Sequence, residues 1–230
     1  MEPNEVHPVA EAVVGIELGR MAIRELTQFE VAGGSSTGPE RAQRPLGPAR
    51  ALAQHLKEPV QGGLVLDLRD NEGGLIDEVV AAAGLFLEAD SVVLMTSRPD
   101  GGSDPHRSSR SPVYGGPLVI LVNRGTAGPA EAFACALRDH GRAQIVGTAT
   151  AGVGTLPSYH PLDGDLVLAL ADTWMQGPSG LGWTPDGVAP DLLVEAVSTV
   201  LSANGRSVSP DLQRDAGIQL LGQRVQQRPD

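Results

Sequence analysis

An α/β fold with largely parallel strand pairing is the class this sequence predicts, on three observations. Two compact apolar runs, Gly63-Leu64-Val65-Leu66-Asp67-Leu68-Arg69 and Pro117-Leu118-Val119-Ile120-Leu121-Val122-Asn123, have the length and content of strands buried in a sheet. Each runs into a glycine-bearing turn and then into a segment with helical spacing, and strand, turn, helix, strand repeated is the pattern of parallel pairing through crossover helices. The 230 residues, 41% of them hydrophobic, suffice for one good core.

In chain order, Val13 to Phe29 alternates apolar and polar residues, which predicts two strands joined by a turn near Gly19. Residues 33 to 48, rich in Gly, Pro, Ser and Thr, predict a loop, and Pro48 to Lys57 predicts a helix with proline at its start. After the first core strand and the turn Asp70-Asn71-Glu72-Gly73-Gly74, Leu75 to Leu87 has helical periodicity and Val92 to Thr96 reads as strand. Residues 98 to 116 read as a polar, Arg-rich loop, and the sequence alone does not specify whether it closes over a cleft. The second core strand leads through Arg124-Gly125-Thr126-Ala127-Gly128-Pro129 into a helix from Ala130 to about His140. Asp163-Gly164 marks a hairpin turn between Tyr159-His160 and Leu166 to Ala171. No internal repeat is present. We read one domain over 1–230, with N-terminal strands and a helix at 10–60, the core at 61–195 and a C-terminal helical tail at 196–230.

Charge and composition exclude several classes. The net charge of −11, with no Lys/Arg cluster, disfavours nucleic acid and anionic membrane surfaces as partners. The single cysteine, Cys135, lies in an apolar run and allows no disulfide within the chain. His7, His55 and His106 show no ligand spacing and no phosphate-cradling loop is present, so neither a metal nor a cofactor is expected. The first residues lack the basic and apolar regions of a signal peptide and no run is long enough to span a bilayer, which predicts a cytoplasmic protein.

Three ordered segments carry a resemblance. They are Gly63 to Gly74, Leu121 to Glu131 followed by Ala136-Leu137-Arg138-Asp139-His140-Gly141-Arg142, and Gly187-Val188-Ala189-Pro190-Asp191. They resemble the G-L-I-L-D-L-R-x-N-P-G-G, L-V-N-x-x-(S/T)-A-S-A-S-E with A-L-x-D-x-G-R, and G-I-x-P-D motifs of tail-specific, or C-terminal processing, serine peptidases. The resemblance spans nearly the whole chain and implies an α/β core of the crotonase-like ββα spiral type, without the PDZ-like domain that many relatives carry.

The family's chemistry is a Ser-Lys dyad, a lysine taking the serine proton while backbone amides bind the oxyanion. The resemblance puts the nucleophile position at Gly128, the base position at Val153 in Thr150-Ala151-Gly152-Val153-Gly154, and the family's glutamine at Pro157. One oxyanion amide falls on Pro129, which has no N–H. Lys57 is the only lysine in the chain. Loss of the nucleophile alone costs about a million-fold in rate, so peptide hydrolysis by this mechanism is not expected. Ser108, Ser109, Ser111 or Ser158 with a histidine base remains an alternative.

Other departures suggest different chemistry. Glu72 stands where the family has proline, on the turn supplying the second oxyanion amide beside Gly73 and Gly74; it is a candidate acid or base, or a cap for the following helix. His160 is a candidate acid/base group or an exposed strand residue. Asp139 matches a family position and is a third catalytic candidate, while Glu131 is expected to hold the turn by accepting backbone amides. Trp174 and Asp172 depart from the pattern on the late strand, Trp174 being a pocket wall or core. Gly73, Gly74, Gly128, Pro129, Val153 and Trp174 are the expected substrate-binding residues.

The leading expectation is an enzyme repurposed for cyclisation, isomerisation or hydration of a small apolar molecule, with Glu72, His160 or Asp139 assisting. A non-catalytic protein binding a ligand or peptide is the alternative, and an active serine peptidase with a relocated base the third. A homo-oligomer is possible under each. Convergence of Glu72, His160 and Asp139 on one pocket separates the first two.

Overall fold

The structure, a computed structural model, describes residues 11–15, 47–57, 60, 62–162, 166–183, 185–196, 200–201, 207–208 and 210–226. In chain order the elements are β1 (Glu11–Gly15), α1 (Pro48–His55), β2 (Gly63–Asp67), α2 (Ile76–Ala83), β3 (Val92–Ser97), β4 (Ser103–Arg107), β5 (Leu118–Val122) and α3 (Pro129–Asp139). They continue with β6 (Gln144–Gly147), β7 (Thr155–Pro161), β8 (Val167–Gln176), β9 (Leu192–Leu193), β10 (Val200–Leu201), β11 (Ser207–Val208) and α4 (Leu212–Gln226).

The central sheet has the order β1-β2-β5-β6-β9, and every pair in it is parallel. This is the parallel α/β core that the two apolar runs predict. Because right-handed crossovers advance the strands in one direction, the intervening helices fall on one face of the sheet. Period-two alternation divides the strand side chains accordingly. Leu64, Leu66, Leu118, Ile120, Val122 and Ile145 join the core with α2 and α3, while Val65, Val119, Leu121 and Val146 point the other way. Five consecutive buried residues in β5 follow from this cover on both faces.

The second face is closed by α4, whose Leu221 packs on Val65, Val119, Leu121 and Val146. Close approach requires small residues beneath it: a Cβ at Gly217 would stand 2.8 Å from Leu121, and one at Gly63 2.7 Å from Leu221. The C-terminal tail expected to be helical is therefore a layer of the core. Asp211 caps α4, accepting from the Arg214 N–H at 3.0 Å, and pairs with Arg69 at 2.7 Å. Arg69 also bonds Asp67 at 2.6 Å, and these two carboxylates hold its guanidinium firmly protonated.

A second, antiparallel sheet has the order β4-β3-β8-β7. The β7/β8 hairpin expected around Asp163-Gly164 is present, with the turn itself outside the described residues. Outside them too are the end of the first expected N-terminal strand, the turn at Gly19, the whole of the second strand and the loop before residue 47.

One expectation needs correction. Residues 98 to 116 are not a continuous loop, because Ser103–Arg107 pairs with β3. Arg98 to Asp104 at 2.6 Å and Thr96 to His106 at 3.0 Å tie the two strands, with Pro105 tolerated on the sheet edge. The following residues are anchored too, the Val113 and Tyr114 amides both donating to the Leu85 carbonyl. Among the described residues no helix is long and apolar enough to cross a membrane.

Candidate functional site at the sheet's C-terminal edge

Strands β2, β5 and β6 end side by side, and their three following loops are locked together by side chains. Asn123 Oδ1 accepts the amides of Asp70 and Gly125, both at 2.9 Å, while its Nδ2 donates to Asp70 at 2.9 Å. The Thr126 hydroxyl donates to the Leu68 carbonyl at 2.7 Å. Ala127 N–H bonds Asn71 O and Ala151 N–H bonds Thr126 O, each at 2.9 Å. The C-terminal edge of a parallel sheet is where α/β folds place ligands.

Glu131 is the centre of this lock. It is fully buried in the first turn of α3. One oxygen accepts the amides of Gly128 and Val153, both at 2.8 Å. The other accepts the Gly152 amide at 2.8 Å and the Thr150 hydroxyl. The holding role expected for Glu131 is what the geometry displays, and it extends to the loop carrying Val153.

Between β5 and α3 the chain makes a sharp elbow at Gly128, with φ 56° and ψ −126°. This region is strained for any residue with a side chain. A Cβ at Gly128 would meet only the Glu72 carbonyl at 3.5 Å, an ordinary contact, so the space a nucleophile would occupy is open. Pro129 opens α3, where its missing N–H is no loss to the helix. Its ring lies against Gly73: a Cβ there would stand 2.6 Å from Pro129 Cδ, and φ +90° also favours glycine. The Gly73 amide donates to Asn71 Oδ1 at 2.9 Å. Glu72, Gly74 and Val153 border the elbow with exposed surface.

Of the three catalytic candidates, Glu72 alone lies at the elbow. Asp139 is at the far end of α3, about 15 Å along the helix axis from Pro129. There it accepts from Ser179 Oγ at 3.0 Å and Cys135 Sγ at 3.6 Å. Burial and the neighbouring Asp139 push the Cys135 thiol up to about 12. His140, beyond it, bonds the Val92 carbonyl at 2.8 Å.

His160 lies five residues into β7 from Thr155, about 16 Å along an extended strand. It meets Ser158 Oγ at 2.8 Å, and that hydroxyl donates to Asp172 at 2.5 Å. The Ser158 hydrogen bond holds the Asp172 carboxyl below its ordinary value. The register shift opposite Leu156/Pro157 leaves Asp172 unpaired and turns it toward Ser158. A shift of this kind has no signature in the sequence, so the grouping was not foreseen. The order is wrong for a triad: the single serine hydrogen goes to the carboxylate, so His160 meets Oγ as a donor, not as the base that would activate it. Ser108 donates its hydroxyl to the Glu88 carbonyl and is buried.

Trp174 is 43% exposed on β8, on the rim rather than in the core. Lys57 follows α1, which runs back to the opposite edge of the sheet, so about 16 Å of β2 separates it from the elbow. Among the described residues no three His, Cys, Asp or Glu side chains are grouped to hold a metal ion. Asp211, which ties α4 to the motif residue Arg69, was also missed, although an aspartate just before a helical run is a readable cap signal.

Residues 43–194 match the model of peptidase family S41. A carboxyl-terminal-processing protease of Picosynechococcus is 34% identical over 164 residues, 69% of this chain and 38% of that protein. One from Synechocystis is 34% identical over 174 residues, 75% of this chain and 40% of that protein. Among solved structures, a photosystem II D1 C-terminal processing protease superposes with a TM-score of 0.61 at 28% identity, covering 76% of this chain and 42% of that one. This sequence thus spans less than half the length of these relatives. The matched span, the mixed α/β fold and the identity together place the chain in peptidase family S41.

Proposed function

We propose that this chain binds a polypeptide at its elbow and does not hydrolyse it. The observation that carries this reading is the elbow itself. Its backbone has the strained geometry of a nucleophile turn, yet the residue there is Gly128 and the next is Pro129. The base position is Val153, and the only lysine of the chain sits at the opposite edge of the sheet. A polypeptide is the ligand class suggested by relatives named for carboxyl-terminal processing.

The reading as a cyclase, isomerase or lyase for a small apolar molecule is weakened by the dispersal of its candidates. Glu72 is a water-exposed carboxylate with neither Asp139 nor His160 beside it to complete an acid and base pair. The test is digestion of unstructured casein by the wild-type chain and by Ser158→Ala and His160→Ala. Intact casein is expected in all three. Cleavage by the wild type that either substitution abolishes would establish a relocated serine peptidase and overturn the proposal, as would cleavage that both variants retain.

A further inference from the structure

The β7/β8 hairpin carries a sheet face with no charged residue on it. Paired positions alternate across the ribbon, so Thr155, Pro157, Tyr159, Pro161, Val167, Ala169, Ala171 and Trp174 share one face. Tyr159 is 68% exposed and Val167 60%, and the alanines and prolines between them are exposed as well. The opposite face also exposes Leu168 and Leu170, and differs in carrying Ser158, His160 and Asp172 among them. The uncharged face begins beside the elbow: Trp174 pairs with Thr155, two residues from Val153, and Met175 N–H bonds Gly154 O at 2.8 Å.

We propose that this face is a platform for an extended, uncharged apolar peptide segment of about seven residues, lying along the hairpin with one end at the elbow. The inference rests on the peptide-binding reading above and specifies its ligand. Three considerations select the occupant.

The first is size. From Val167 to Trp174 the platform is about 23 Å long, and two strands make it about 10 Å wide. That footprint, near 230 Å², falls well short of the roughly 800 Å² per partner of a stable interface, so a second copy is not held by this face alone. It does match one extended chain. The second is charge: a chain of net −11 with no charged group on this face offers nothing to an ionic ligand.

The third is the edge. Leu162 N–H bonds Leu166 O at 2.9 Å, so even-numbered residues of the hairpin's first strand turn their backbone groups inward and Pro157, Tyr159 and Pro161 turn theirs outward. Two of these three have no N–H. Strand addition at this edge is therefore poorly supported, and docking on the face remains.

The test uses Trp174 as the reporter, in a full-length Trp183→Phe background that leaves it the only tryptophan. The probe is a neutral nonapeptide of alternating valine and threonine with blocked ends, and tryptophan emission is followed on titration. Saturable change is expected, weakened at least ten-fold by Ala171→Glu and left within two-fold by Leu168→Glu on the opposite face. Circular dichroism confirms that each variant folds, and Ala169→Glu replaces Ala171→Glu if that variant does not. Absence of saturable binding, equal loss in both face variants, or a dimer in sedimentation that Ala171→Glu dissolves would overturn the platform. None of these outcomes bears on casein cleavage, so the platform and the non-hydrolytic reading fail separately.

Discussion

Glu131→Gln should disrupt both loops of the elbow at once. Four donors converge on the carboxylate, two on each oxygen. An amide keeps one accepting oxygen and turns an N–H₂ group toward the other two donors, leaving them unpaired in a fully buried place. Hydrogen bonds to charged groups contribute about 1.5–3 kcal/mol each, so the loss of two comes to about 3–6 kcal/mol. For a chain of this length each kcal/mol lowers Tm by about 2–4 °C, which sets the expected fall at about 6 °C or more. Thermal melts followed by circular dichroism measure it. Native-state hydrogen exchange then asks whether the Gly128, Gly152 and Val153 amides accelerate together, by about a hundred-fold or more. A Tm within about 2 °C of wild type, or acceleration confined to one of the two loops, would refute the view that this carboxylate joins them.

Two further outcomes follow from the ion pair under α4 and from the lone thiol. Arg69, acting first through its hydrogen bond, depresses the Asp211 carboxyl. A depressed value means that stabilisation is complete above the ordinary carboxylate pKa of about 4 and is lost as pH falls through the folded value. Asp211→Asn should therefore lower stability at pH 7 by on the order of 1 kcal/mol, discounted for the exposure of Asp211, and the difference from wild type should shrink below about pH 4 in urea melts. Cys135, with its thiol pushed up to about 12, should react with a disulfide reagent at pH 8 at least about a hundred-fold more slowly in the folded chain than in the unfolded one.

What the sequence shows depends on whether a feature is local. The strands at 63–67 and 118–122 are legible because burial on both faces leaves continuous apolar runs, and α3 because Gly-Pro at its start and apolar spacing agree. The elbow is legible from motif spacing, and so is the absence of serine at 128 and lysine at 153. Asp139 and His160 mislead because each lies close in sequence to a site element, yet an eleven-residue helix and a seven-residue strand carry them away from it. The strand at 103–107 was hidden by its composition, since Pro105 and the flanking glycines are turn signals and only pairing with β3 makes it a strand. The uncharged hairpin face emerges only when two strands are read in register, which neither strand alone specifies.

The elbow has the shape of a nucleophile turn with glycine where the nucleophile would stand. An oxyanion is stabilised when two amides aim at one point. Here residue 129 has no N–H, and the Gly73 amide is taken by Asn71. The Pro129 ring also fills the space against Gly73, so the two loops pack closely at this point. A serine introduced at 128 would fit beside the Glu72 carbonyl, but it would face neither an adjacent amide from residue 129 nor a base at 153. Yet Glu131 still buries a carboxylate to brace these loops, and burying a charge is expensive unless its partners are held firmly. A turn that served only to connect β5 to α3 would need neither the positive-φ elbow at Gly128 nor the buried Glu131. Their joint presence favours a site whose function depends on surface shape, and that surface continues past Val153 onto the uncharged face of the hairpin.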